Sequence, residues 1–126
     1  MHLLDSNILI YAGQPGNEFL DAWLTAEGTR MSAISIPEVL GFTGLSAEDE
    51  TVFEAWFAWL FVQAVKEPIL RRAAALRRQR RMKLGDSIIA ATALETGAEL
   101  VTRKVDDFKH ITALKLTNPF APPASA

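Results

Sequence analysis

Residues 84–108 read LGDSIIAATALETGAELVTRKVDDF, and this stretch decides the fold. Asp86 to Thr96 is rich in Ala and Ile and predicts a helix, following a Lys83-Leu84-Gly85 loop and stopped by Gly97 at the C′ position, where a left-handed backbone favours glycine. Leu100 to Thr102 follows as a short buried strand, and Asp106 to Lys109 as a turn or helical loop. A helix that feeds an all-apolar strand, which then ends in acids, is one unit of a parallel sheet covered on both faces.

Working outward from this unit, the same alternation recurs. Pro68 opens a helix running to about Arg81, with Ile69, Ala73, Leu76 and Leu84 on one arc and Arg71, Arg72, Arg78 and Arg81 mostly opposite. Before it, Val62 to Val65 predicts a strand, and Phe53, Trp56, Phe57, Leu60 and Phe61 form one face of a helix that Ser46 and Asp49 open as an N-cap pair. Further back, Arg30 to Ser35 is β-compatible and leads to Pro37 and Glu38 in the first turn of a helix. Phe19, Trp23 and Leu24 mark a short helix ending near Gly28. At the N-terminus, His2 to Leu4 reads as a buried strand that ends in Asp5 and gives way to an Asn7 to Ala12 helix. Beyond the opening unit, Leu114 to Leu116 predicts a last edge strand. The expected fold class is therefore α/β, a doubly wound sandwich with a short, mostly parallel central sheet flanked by helices. One domain over 1–117 accounts for the chain, and the tail 118–126, with three prolines, is expected to be mobile.

Composition narrows the chemistry. The chain has 126 residues, is 49% hydrophobic and 22% charged, and is long enough to bury a core without staples. Without cysteine there is no disulfide, thiolate nucleophile or Cys-ligated zinc, and His2 and His110 alone cannot build a three-histidine zinc site. No stretch is apolar enough for a membrane span, and the start MHLLDSNILIYAG lacks the basic beginning of a secretory signal, so a cytoplasmic protein is expected. The net charge of −2 hides an asymmetry: residues 1–65 hold nine acids and one base, whereas residues 66–126 hold twelve bases and six acids. Most of those bases lie between Lys66 and Lys83, as a surface that binds a polyanion needs, although a solvated helix face has the same composition.

In a doubly wound sheet the ligand site lies outside the carboxyl ends of the strands. Every position there is acidic: Asp5, Glu38, Asp86, and Asp106 with Asp107. Singly, Asp5, Asp86 and Asp107 could cap helices and Glu38 could complement a helix dipole. Together they are a cost, because two carboxylates about 4 Å apart repel by several kcal/mol at an effective dielectric near 20. A cation resolves that repulsion, and ligands that are oxygen only suit Mg²⁺ or Mn²⁺.

The strings LLDSNILIYA, SAISIPEVLG and LGDSIIAATALETGAELVTRKVDDF resemble PIN-domain ribonucleases, specifically the VapC-type toxins of bacterial toxin–antitoxin pairs. The resemblance runs from His2 to about Leu116 and implies a PIN-like sandwich. It makes Asp5, Glu38, Asp86 and Asp107 the acidic, metal-binding quartet, with Asp107 preferred to Asp106 because the family's last acid directly precedes the Phe, here Phe108. Ser6 stands where many members have Thr, and Lys104 where relatives often have Asn. The implied activity is metal-dependent hydrolysis of RNA, with one or two ions polarising the scissile phosphate and activating water. Ser6 and Thr102 are candidates to hydrogen-bond a carboxylate of the quartet.

Arg71, Arg72, Arg78 and Arg81 are candidates to hold the RNA backbone, with Arg103 and Lys104 beside the site. Trp59 lies off the core-facing stripe of its helix, and this surplus of apolar surface suits contact with another chain. The resemblance implies a homodimer and a small VapB-like antitoxin whose helix lies in a groove between the early helices. Two other readings share the pattern: a receiver-like phosphoacceptor domain, also doubly wound, and a PIN scaffold that binds RNA or a partner without cleaving it.

Overall fold

The computed structural model describes residues 1–121, and its five strands run parallel throughout. These are β1 (His2–Leu4), β2 (Thr29–Ser32), β3 (Phe61–Gln63), β4 (Glu99–Val101) and β5 (Leu116–Thr117), in the order β3-β2-β1-β4-β5. β1 is the centre, with Leu4 opposite Met31 on one side and Val101 on the other. The chain winds outward through β2 to β3, then crosses back to build β4 and β5 beyond β1. That reversal opens a crevice at the carboxyl end of β1, immediately before Asp5. A receiver-like domain has the order 2-1-3-4-5 instead, so that reading is excluded.

Strand residues alternate between two cores. Leu3 and Leu100 face the cluster built with α5 (Glu67–Gln79) and α6 (Leu84–Thr96). Leu4, Met31 and Val101 face the cluster built with α1 (Ser6–Ala12), α2 (Asp21–Thr25), α3 (Ser35–Leu40) and α4 (Ala47–Trp59). A central strand buried on both faces has no polar side to show, which is why it reads as a continuous apolar run. α6 is buried without a break from Asp86 to Ala93, its alanines letting α5 approach closely. Gly97 ends it at φ 71°, the left-handed conformation its position predicts.

Several boundaries differ from expectation. β2 stops at Ser32, and Ser35 already belongs to α3, so Pro37 sits in the helix's first turn with Ser35 available to the site. α4 ends at Trp59, so Phe61 leaves the helical stripe, falls in the edge strand β3 and is 56% exposed, with the Arg30 guanidinium 4.5 Å from its ring centre. β3 accordingly covers 61–63 rather than 62–65. α5 ends at Gln79, because Arg80 is extended (φ −159°, ψ 145°) and breaks the helical phase. Leu84 is therefore exposed instead of sharing the buried arc of Ile69, Ala73 and Leu76. β5 covers 116–117, and Leu114 packs into the core ahead of it. Of the tail 118–126, Asn118 to Ala121 lies within the described residues. Phe120 packs edge-on against Tyr11 and Phe19, and the rest of the tail lies outside the described residues.

Candidate active site

Asp5 follows β1 at the N-cap position of α1, yet its side chain makes no capping hydrogen bond. Its carboxylate turns inward: Thr102 Oγ1 donates to Oδ2 at 2.8 Å, and the residue is 1% exposed. Capping therefore does not explain this acid. Asp86 is the third residue of α6, with Lys83 at the cap, and it is also buried. Glu38 reaches in from α3, where Ser6 Oγ donates to its Oε1 at 2.6 Å. Since the Ser6 proton is engaged there, Ser35 donates to Ser6 Oγ across their 2.7 Å contact, giving a relay Ser35–Ser6–Glu38. Asp5, Glu38 and Asp86 line one cleft of about 470 Å³ at the carboxyl edge of the sheet.

Gly85 sets the approach of Glu38 to this cleft. A Cβ on Gly85 would overlap the Glu38 carboxylate, so the absence of a side chain lets that acid lie against the first turn of α6 beside Asp86.

Lys104 completes the same cleft. Although expected among the residues facing the RNA backbone, it points its ammonium into the acids, with Nζ 2.8 Å from Asp86 Oδ1 and 3.9 Å from Asp5 Oδ2. Burial raises the Asp5 carboxyl above its ordinary 3.8. The Lys104 charge and the Thr102 hydrogen bond oppose that rise, while Asp86 and Glu38 add to it. For Lys104, burial works against the charge, but Asp5, Asp86 and Asp107 outweigh it and hold the ammonium above its ordinary 10.5.

Asp107 stands apart from the other three acids. It lies in α7 (Val105–Phe108), exposed, and with Asp86, Arg80 and Arg81 it lines a second cleft. Asp106 lines the second cleft too, but it pairs outward with Lys109 at 3.0 Å, whereas Asp107 is the one whose charge reaches Lys104. Asp86 thus belongs to both clefts and joins them.

The basic candidates divide. Arg71 pairs with Glu67 at 3.6 Å and Arg72 with Glu95 at 3.3 Å, and neither lines a cleft. Arg78 and Arg81 border a shallow depression with Arg77, and Arg81 also reaches the second cleft. The Arg103 guanidinium packs 4.2 Å from the Phe120 ring centre and 5.1 Å from that of Tyr11, which lines the first cleft. Ser35, Gly85, Arg80 and Lys83 are site residues that the sequence alone leaves as scaffold, loop or undifferentiated charge. The Gly immediately before Asp86 was the signal available for one of them.

Three carboxylates, together with hydroxyl and amide oxygens, line the first cleft with no thiol or imidazole, and a positive charge already sits among the acids, so the residues present fit a hard divalent cation. Among the described residues, no three acids converge closely enough to encircle an ion while Lys104 stands between Asp5 and Asp86.

Comparison with known proteins agrees with this geometry. A family model described as the PIN domain matches residues 2–114. A toxin–antitoxin complex from Klebsiella pneumoniae contains a chain 29% identical, with a TM-score of 0.76, covering 97% of this chain and 100% of that one. FitAcB from Neisseria gonorrhoeae is 27% identical at a TM-score of 0.76, covering 97% and 100%. VapBC2 from Rickettsia felis, bound to a DNA fragment from its promoter, shares the fold at 22% identity and a TM-score of 0.77, covering 93% and 97%. A search of curated proteins found no match.

Proposed function

The chain belongs to the PIN-domain family, and we propose that it is a ribonuclease dependent on Mg²⁺ or Mn²⁺, the toxin of a type II toxin–antitoxin pair. The observation that carries this reading is the first cleft, in which Asp5 is buried without capping its helix and shares a single cavity with Glu38 and Asp86. A carboxylate that is buried, does not cap its helix and faces two other acids across one cleft is the arrangement a ligand site uses.

Asp5, Glu38 and Asp86 would hold the cation, and Asp107 would act from the second cleft, as a ligand through water or on the attacking water itself. When bound, the cation neutralises the acids, polarises a phosphodiester and lowers the pKa of water. The protein's own residues do the rest. Thr102 fixes the rotamer of Asp5, and the Ser35–Ser6 relay fixes that of Glu38, so both oxygens are aimed before substrate arrives. Arg81 and Arg80 border the second cleft and can take phosphates on either side of the scissile one. Arg103, held against two rings, offers a further donor near the first cleft.

The similar Klebsiella chain occurs in a toxin–antitoxin complex, and the partner proposed here is a small VapB-like protein. Phe42 lines the first cleft and is 49% exposed, so a partner helix laid across the early helices would find apolar surface next to the acids and would block the cleft. The exposed Trp59 and Phe61 suit a homodimer contact. No helix among the described residues is long and apolar enough to cross a membrane, and the working place proposed is the cytoplasm, where RNA is available.

The test is direct. Purified protein incubated with RNA should cleave with Mg²⁺ or Mn²⁺ and stop in EDTA. Cleavage that persists in EDTA overturns the metal-dependent mechanism, and RNA binding without cleavage under any metal selects the non-catalytic scaffold.

A further inference from the structure

Lys104 is the only cationic side chain lining the first cleft among the described residues. It is placed there by the same residue that aims Asp5. Thr102 Oγ1 donates to Asp5 Oδ2 at 2.8 Å and accepts from the Lys104 backbone N–H at 3.0 Å. The turn after β4 therefore positions an acid and its counter-charge together. The lysine side chain is 28% exposed, crosses near the Phe108 ring and ends in a hydrogen bond to Asp86 Oδ1. Its charge also lies 3.9 Å from Asp5 Oδ2, so the ammonium bridges the two most buried acids of the cluster.

A bridging position between two carboxylates is also where a hard cation gains most, and two positive charges do not share it. An ammonium is a compact point charge on a flexible stem, suited both to filling such a position and to leaving it. We propose that the Lys104 ammonium is a resident cation that competes with a divalent metal ion for the Asp5–Asp86 pair, so that the chain takes up metal only by displacing its own lysine. This rests on the reading of the acids as metal ligands. It also accounts for the arrangement seen without metal: three acids line one cleft, and the ammonium occupies the position between two of them.

The proposal gives one atom two effects of opposite sign. Without metal, Lys104 neutralises the cluster, so its removal lowers stability. With metal, Lys104 is a rival, so its removal raises affinity. A lysine that served only as packing would give the first effect without the second.

The experiment is Mn²⁺ titration of the full chain, followed by the electron paramagnetic resonance of free Mn²⁺ and by calorimetry, with melting curves in chelator and in saturating Mn²⁺. Lys104→Met removes the charge, Lys104→Gln removes it while keeping a hydrogen-bond donor for Asp86, and Lys104→Arg keeps it. The two neutral variants are expected to bind Mn²⁺ about tenfold or more tighter than the parent, as loss of a unit charge this close requires. Both should melt lower than the parent in chelator and gain more degrees on saturation with Mn²⁺. Lys104→Arg should stay within about threefold of the parent, its charge being intact. Equal or weaker Mn²⁺ binding by both neutral variants overturns the competition and leaves the nuclease reading standing. If neither the parent nor the variants bind Mn²⁺, and Asp5→Asn changes nothing, the metal reading falls as well.

Discussion

The two clefts that meet at Asp86 have similar volumes, about 470 and 440 Å³, but are built differently. In the first, the acids come from strand ends and first helical turns, Asp5 and Asp86 are buried, and every carboxylate oxygen named has a hydroxyl or ammonium fixing it. In the second, Asp106 and Asp107 are exposed on a helix of four residues, facing Arg80 and Arg81 from an irregular connection. On the proposed function, the difference is a division of labour. Groups that must hold a cation are fixed by rigid elements and by a second layer of hydrogen bonds. Groups that meet a long, flexible polyanion sit on exposed side chains, where electrostatics acts at a distance.

That contrast is broken most severely at the first cleft. Asp5→Asn or Asp86→Asn should lower RNA cleavage by roughly a thousandfold, since several kcal/mol of transition-state stabilisation are at stake at about 1.4 kcal/mol per tenfold. Asp107→Asn should cost less than either, because its carboxylate is exposed and borders the other cleft. Single-turnover cleavage rates at saturating Mn²⁺ would rank the three, and an equal effect at Asp107 would merge the two clefts into one machine.

One layer out, Thr102→Val and Ser6→Ala remove the hydroxyls that aim Asp5 and Glu38. Each should weaken Mn²⁺ affinity or activity by about 10- to 100-fold, the usual effect of a residue that orients a ligand. Gly85→Ala should act in the same direction through Glu38, whose carboxylate must move away from the added methyl. The comparison sharpens if Lys109→Ala, which removes the outward partner of the second cleft's Asp106, leaves metal affinity unchanged.

How much of this was legible in the sequence follows the same line. A mostly parallel sheet was readable because its central strands β1 and β4 are largely buried and leave short apolar runs at Leu3–Leu4 and Leu100–Val101. Gly97 and Ser46 marked helix ends correctly because their geometry is local: a left-handed backbone in one, a hydroxyl accepting from Asp49 N–H in the other. The end of α5 was missed because Arg80 leaves the helix with no glycine or proline to announce it, and the exposure of Leu84 was missed with it. Asp5, Glu38 and Asp86 were placed at one edge by topology alone. Ser6 and Thr102 were named as candidates to hydrogen-bond one of these acids, but which carboxylate each meets was not readable, since Thr102 lies 97 residues from Asp5, and Glu38 meets Ser6 across 32. Lys104 was visible as a departure from the family pattern, but the direction of a flexible side chain is decided by the field of acids the fold assembles, which no local pattern contains.

A smaller effect concerns stability without metal. Asp5 ionises less readily in the fold than its ordinary 3.8, so at neutral pH its charge costs folding free energy. Asp5→Asn should therefore melt a few degrees higher than the parent in chelator. The advantage is full above the raised value, where the folded parent carries the charge. It fades as pH falls through that raised value and is gone below 3.8, where Asp5 is protonated in both states. Asp86→Asn should move the other way, because it removes the 2.8 Å partner of Lys104 and leaves that ammonium facing a neutral group. Melting curves across pH would test the pair, and stabilisation of both variants would show that Lys104 contributes nothing to holding the first cleft together.

The smallest effects belong to the basic run, where the structure splits a sequence-level block in two. Arg81 borders the second cleft and Arg78 the neighbouring depression, whereas Arg71 and Arg72 are engaged with Glu67 and Glu95 on the exposed side of α5. Removing one cation from a phosphate lowers the slope of log K against log salt by about 0.7 for single-stranded nucleic acid. Arg78→Ala with Arg81→Ala should thus reduce the RNA-binding slope by roughly 1 to 1.5. Arg71→Ala with Arg72→Ala should leave it almost unchanged and shift stability by only a few tenths of a kcal/mol, the usual worth of exposed ion pairs. Filter binding between low and high salt, with Asp5→Asn as a cleavage-deficient background, gives both slopes. If the Arg71 and Arg72 pair carried the larger slope, RNA would approach along the outer face of α5, and the second cleft would be left as a neighbour of the chemistry with no part in steering substrate.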